Sequence, residues 1–317
     1  MELTIIGAGA IGGVLGAHAA RAGHAVTLCD VDAEHVGAIR RDGLRIEGPV
    51  ADFTQRMTAI TPDELPDGLR HVVVAVKSLH TAAAAALLAG RLDGDGSVLT
   101  VQNGLTADVL VEAVGAERVL SAFINVGADL LGPGRVLQGN TATFRIGELP
   151  GGPPTDRVRA YADALPYAEP TDNVLGYLWG KEAYGAMLWA GAVSDLTIAD
   201  SLSLPAYRPL MIALAEEVLA QAPVRVESFD GFEPDDLPGS LGRLAEFNRG
   251  SAKARSGIWR DLMVRRRKTE VDEVAKDIGG PLFDRVVAMV HDIEQGRRTC
   301  EVANLDELAR HAATTAA

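Results

Sequence analysis

The run Gly7-Ala8-Gly9-Ala10-Ile11-Gly12 constrains this chain more than any other feature, because of where it falls. It follows a short apolar run, Leu3 to Ile6, and opens a stretch of small residues, Ala10 to Ala20, that closes near Arg21 and Gly23. A second apolar run, Ala25 to Cys29, comes next. Strand, glycine turn, helix and strand form one βαβ unit, the setting in which G-x-G-x-x-G holds a dinucleotide. The first glycine permits the tight turn, the second lets the backbone approach the pyrophosphate, and the third lets helix and strand pack closely. The start of the helix adds N–H donors and partial positive charge. Asp30 closes the second strand, where a carboxylate accepts hydrogen bonds from the adenosine ribose. The same charge repels a 2′-phosphate. Val31 and Asp32 follow it instead of Arg or Lys, so NAD or NADP is the expected cofactor with NADH favoured. The lesser alternative is that Asp30 merely caps its own turn.

Further along, His71 to Val76 is an almost unbroken apolar run, as expected of a parallel strand covered on both faces. Thr81 to Leu92 reads as a helix and Ser97 to Val101 as another strand. Lys77 and Asn103 stand just past two of these strands. Ligands of open α/β sheets bind beyond the carboxyl ends of strands, so both residues are candidates for the cofactor, against ordinary loop polarity. Strands and helices alternate to about Asp172. Beyond it, helical periodicity dominates over Trp179 to Asp200, Pro205 to Gln221, Arg260 to Lys276, Leu282 to Gln295 and Leu305 to Ala312. The fold expected is α/β: a Rossmann-type, doubly wound parallel sheet over residues 1–172, then an all-helical substrate and catalytic domain over 173–317.

A net charge of −13 repels nucleic acid and anionic membrane, which excludes both as expected partners. The two cysteines, Cys29 and Cys300, make neither a disulfide framework nor a zinc site, and fit a reducing, cytoplasmic compartment. The apolar run from Ala82 to Ala89 is too short to span a bilayer, and the N-terminus has Glu2 in place of a basic leader. Lys181 precedes a run of small and apolar residues, so it points either to solvent or into a cleft. The basic run Arg265 to Lys268 reads as a solvated face that offsets nearby acids.

Taken in order, these residues resemble the ketopantoate reductase (2-dehydropantoate 2-reductase) family. The matches are the N-terminal glycine motif, Val76-Lys77, Gln102-Asn103-Gly104, the V-G-A at Val126, Ile146-Gly147, Trp179 with Lys181, and Thr269-Glu270-Val271-Asp272. The resemblance implies a Rossmann domain and a helical domain with the active site in the cleft between them. A homodimer through the helical domain is a separate expectation. It implies an NAD(P)H-dependent reduction of a 2-oxo acid or related small carbonyl compound. Lys181 would be the general acid, and Glu270 would orient it or bind the nicotinamide ribose. Lys77, Asn103 and Gly127 would meet the cofactor, Asn103 also the reacting centre, and Ser256 the substrate's carboxylate or hydroxyl. An ammonium suits this chemistry, since it stabilises charge developing on oxygen and supplies a proton. The chain departs from the family where substrate is bound. Gly185 and Trp189 replace two Asn residues on the lysine's helix, and Ala254 replaces a third. That face is expected to line the substrate cleft and to favour a bulkier, less polar compound than ketopantoate. Two other readings stay open: a dehydrogenase acting on another hydroxy acid or an imine, and a non-catalytic dinucleotide sensor, which has no need of Lys181 and Glu270 together.

Overall fold

The computed structural model describes residues 1–250 and 254–315. The chain divides into two compact units, Met1–Val174 and Leu175–Ala317. The first begins with β1 (Glu2–Ile6), α1 (Ala10–Arg21), β2 (Ala25–Cys29) and α2 (Ala33–Asp42). It continues through β3 (Leu44–Glu47), β4 (Phe53–Gln55), β5 (Thr58–Ile60), β6 (Leu69–Val74), α3 (Thr81–Leu88), β7 (Leu92–Thr100) and α4 (Ala107–Val114). It closes with β8 (Val119–Ile124), β9 (Ala128–Gly132), β10 (Arg135–Gln138), β11 (Phe144–Glu148), α5 (Asp156–Ala164) and β12 (Ala168–Pro170).

The main sheet has the order β12-β11-β8-β7-β6-β1-β2-β5. All pairs are parallel except β8 with β11. From β1 the chain moves outward to β2 on one side and to β6 on the other, so the winding reverses at β1, where ligands of such sheets bind. The run of valines in β6 follows from its place: Val72, Val73 and Val74 are wholly buried between strands and helix layers. A second sheet, β4-β3-β10-β9, packs against α1. The sequence reading did not anticipate it, nor the antiparallel β8–β11 pair.

In the second unit, α6 (Val174–Ala192) is followed by α7 (Ile198–Ser203), α8 (Arg208–Leu219), α9 (Leu237–Arg249) and α10 (Gly257–Met263). Then come α11 (Val271–Asp277), α12 (Pro281–Glu294) and α13 (Val302–Thr315). No named strand lies here among the described residues. Three helical expectations are corrected. α6 starts earlier than Trp179 and ends at Ala192, α9 was missed, and the stretch from Arg260 to Lys276 is two helices. The Arg267 N–H turns back to the Asp261 carbonyl at 3.0 Å, and Arg266 takes a left-handed φ of 47°, which breaks that helix.

Candidate active site

The glycine motif spans the turn from β1 into α1. Gly7 has φ 97°, and a Cβ there would meet the Val76 backbone at 2.9 Å. A Cβ on Gly12 would collide with the Gly7 carbonyl. A Cβ on Gly9 would meet nothing within 4 Å, so space stands open in front of this backbone. The first bond inside α1 runs from Gly13 N–H to Gly9 carbonyl (2.8 Å). The amides of Ala10, Ile11 and Gly12 therefore start the helix with no intrahelical partner, and no acidic residue sits in that turn. This is an anion cradle of the kind that fits a pyrophosphate.

Ala8 has a different part from the one expected. It is fully buried, its N–H donates to Asp30 Oδ2 (2.7 Å), and its carbonyl accepts from His35 Nε2 (2.9 Å). His35 Nδ1 accepts the Gly134 N–H (2.9 Å), which fixes the proton on Nε2. Ala8 thus anchors the loop through both its N–H and its carbonyl. Asp30 does cap its turn, since Oδ1 accepts the Asp32 N–H (3.0 Å). Each oxygen keeps a lone pair for a ribose hydroxyl. Val31 beside it is 82% exposed.

Lys77 is half-buried after β6, and Asn103 is exposed after β7. Between them Gln102 is buried, with its amide bonded to both loops. Gly127 follows β8, where its N–H donates to Asn140 Oδ1 (2.5 Å) and its carbonyl accepts the Gly139 N–H (2.7 Å). Gln102, His35 and Asn140 were missed from sequence. Only the Q-N-G string carried any signal, for Gln102.

In the second unit, Lys181 stands two turns inside α6, not in the first turn of a solvated helix. It is half-buried. Burial pushes its ammonium from 10.5 down to about 8, while the charges of Glu182 and Glu270 pull the other way. The fold thus sets Glu270 within electrostatic reach of Lys181. Glu182, itself buried, was missed. Glu270 enters α11 at a turn pinned by Thr269, whose N–H and Oγ1 donate to Glu294 Oε1 at 2.7 and 2.6 Å. The basic run nearby offsets acids, Arg265 and Arg267 pairing with Asp261 and Lys268 with Asp272, but it lies between α10 and α11 and not on the helix face expected of it.

Gly185 continues the lysine's line along α6, and a Cβ there would meet nothing within 4 Å. Trp189 does not continue it. Eight residues at about 100° each carry it some 80° around the helix, and it is 5% exposed, a packed core residue. Leu188, seven residues on, lies nearer that line and is half-buried. Ser256 caps α10, its Oγ accepting the Trp259 N–H (3.1 Å), with the hydroxyl proton left for another acceptor. Ala254 is exposed. The sequence reading passed over Arg255, whose guanidinium lies 4.5 Å over the Trp259 ring and donates to the Leu196 carbonyl (2.9 Å). Leu188, Ala192, Thr197, Arg255, Ser256 and Trp259 line a small cavity of about 10 Å³.

Among the described residues no group of His, Cys, Asp or Glu is set to hold a metal ion, and no helix is long and apolar enough to cross a membrane.

Comparison with known proteins gives one consistent result. Residues 3–151 match the family described as ketopantoate reductase PanE/ApbA. A 2-dehydropantoate 2-reductase of Halobacterium salinarum is 39% identical over 156 residues, 48% of this chain and half the length of that relative. One from Pyrococcus abyssi is 29% identical over 286 residues, 86% of this chain and 88% of the relative. Among solved structures, a PanE/ApbA family ketopantoate reductase from Ralstonia eutropha superposes with TM-score 0.79 and 27% identity, covering 94% of this chain and 99% of the other. D-mandelate dehydrogenase with NADH and anilino(oxo)acetate shares the fold at TM-score 0.79 and 20% identity, over 93% and 99% of the two chains.

Proposed function

We propose that the chain is a member of the ketopantoate reductase family, an NAD(P)-dependent oxidoreductase acting between C=O and CH–OH, and that it reduces a 2-oxo acid bulkier and less polar than ketopantoate, with NADH preferred and Lys181 as the proton donor. The observation that carries this reading is Lys181 itself: a half-buried ammonium inside α6, brought down to about 8 and flanked by Glu182 and Glu270.

The first unit would hold the cofactor. The amides of Gly9, Ala10 and Ile11 would take the pyrophosphate, Asp30 the adenosine ribose, and Lys77, Asn103 and Gly127 the other half. The open space before Gly9 fits that role. When bound, the nicotinamide supplies or accepts a hydride. In the second unit, Lys181 gives its proton to the substrate's carbonyl oxygen and stabilises the charge developing there. A lysine near 8 is mostly protonated at neutral pH yet far more acidic than one in water, which suits proton donation, and in the reverse direction its neutral form accepts the proton. Glu270 keeps the ammonium oriented. The Ser256 hydroxyl, whose proton is left for an acceptor, would take the substrate's carboxylate or hydroxyl.

Gly185 supports the specificity. Where the family resemblance implies an amide, this chain has a hydrogen with open space beyond it. A polyhydroxylated acid loses a hydrogen-bonding partner there, at about 1–3 kcal/mol for each polar group left unpaired. The test is NADH consumption with ketopantoate and with a panel of apolar and aromatic 2-oxo acids. The apolar acids are expected to give the higher kcat/KM, and ketopantoate as best substrate by tenfold or more would overturn the reading. A homodimer remains an expectation, which sedimentation equilibrium would check.

A further inference from the structure

Lys77 and Asn103, which the reading above gives to the cofactor, stand on separate loops after β6 and β7. A single buried side chain joins those loops. Gln102 is 4% exposed. Its Nε2 donates to the Val76 carbonyl (3.0 Å) and to Thr81 Oγ1 (2.8 Å). Its Oε1 accepts from Thr100 Oγ1 (3.1 Å) and Thr106 Oγ1 (3.4 Å). Thr81 passes the linkage on by donating to the Ser78 carbonyl (2.8 Å). Both amide hydrogens and the amide oxygen are therefore engaged, a set that requires two donors and an acceptor on one side chain. The Val76 carbonyl can only accept, so the amide nitrogen must face it. Val76 immediately precedes Lys77, and Gln102 immediately precedes Asn103.

We propose that Gln102 is a positioning residue for the dinucleotide. It fixes the Lys77 loop against the Asn103 loop, so that both side chains are presented in one arrangement before the cofactor arrives, and it makes no contact with the cofactor itself. Preorganisation of this kind appears in affinity, since a binding site that must first be ordered gives up part of its binding energy. The inference rests on the dinucleotide reading of the first unit.

Tyr161 provides an internal control. It is wholly buried, and its single hydroxyl proton is shared between the Val72 carbonyl (3.1 Å) and the Ser97 carbonyl (2.9 Å). Tyr161→Phe thus removes a buried, shared hydrogen bond from the same pair of strands, away from the two loops. NADH affinity is read by fluorescence titration, with thermal midpoints measured in parallel. Gln102→Leu is expected to weaken NADH binding tenfold or more, while Tyr161→Phe stays within twofold of wild type even where its midpoint falls as far. Gln102→Glu keeps the shape and sets an ionised carboxylate against the Val76 carbonyl. It is expected to bind weakly at neutral pH and to recover as acid restores a proton to donate, a recovery the wild type does not show. NADH affinity within twofold of wild type in Gln102→Leu, an equal loss in Tyr161→Phe, or a pH-independent Gln102→Glu would each overturn the proposal. A wild type that binds no dinucleotide would overturn it together with the reading beneath it.

Discussion

Replacing Asp30 should move the cofactor preference, and the structure says which replacement to make. The carboxylate is held at the end of β2 by the Ala8 N–H at 2.7 Å and the Asp32 N–H at 3.0 Å, so it cannot swing away from a 2′-phosphate without giving up both bonds. Two unit charges about 4 Å apart repel by about 4 kcal/mol at an effective dielectric of 20 and about 1 kcal/mol in bulk water. Asp30 is half-buried, between those limits. The discrimination against NADPH is then about five-fold to several hundred-fold. Asp30→Ala would remove the charge but also leave the buried Ala8 N–H without a partner, at about 1–3 kcal/mol, and so loosen the glycine loop for both cofactors. Asp30→Asn removes the charge and keeps an oxygen for that N–H. Initial rates with both cofactors should show the NADPH-to-NADH ratio of kcat/KM rising at least fivefold in Asp30→Asn. It should rise further when Val31, 82% exposed, is also changed to Arg. A wild type tenfold better with NADPH, or an unchanged ratio in Asp30→Asn, would refute the reasoning.

Two further outcomes are expected. With Lys181 at about 8, the protonated fraction falls from about nine-tenths at pH 7 to about one-tenth at pH 9, so kcat/KM for reduction should drop close to tenfold across that interval. The alkaline limb should vanish in Lys181→Arg, whose guanidinium stays charged, and its persistence there would assign the limb to another group. Gly185→Asn places an amide in the open space along α6 and should raise kcat/KM for ketopantoate relative to phenylpyruvate by about fivefold or more, as expected for about 1 kcal/mol of new hydrogen bonding, whereas an unchanged ratio would remove Gly185 from the substrate site.

The first βαβ unit was legible because its period, its glycines and Asp30 agree at every level. The pairing of Ala8 with His35 and of His35 with Gly134 was not, since partners 27 and 99 residues apart leave no local trace. The small sheet escaped for a different reason. Its β3 and β4 are four and three residues long, and β4 has no buried residue, too little for an alternating pattern to register. Lys181 was read at a helix start because Gly176 and Gly180 depress helix propensity ahead of it. Packing overrides that: a Cβ on Gly180 would meet the Phe229 ring at 3.0 Å and the Glu227 carbonyl at 3.1 Å, so the glycine is there to let a neighbour close. Trp189 was misplaced by counting in fours, which drifts around the helix, whereas Leu188 lies nearer the Lys181 line. The start of α9 had a readable signal that was passed over, an Asp236 cap on the Gly239 N–H at 2.9 Å with Pro238 in the first turn.

The most direct test of Lys181 as proton donor is single-turnover reduction of a 2-oxo acid by Lys181→Ala, with NADH affinity measured on the same preparation by fluorescence. Affinity for NADH is expected to stay within about twofold of wild type while the turnover rate falls by about a hundredfold or more, as for removal of a positioned acid. Turnover at the wild-type rate in that variant would contradict the role given to Lys181.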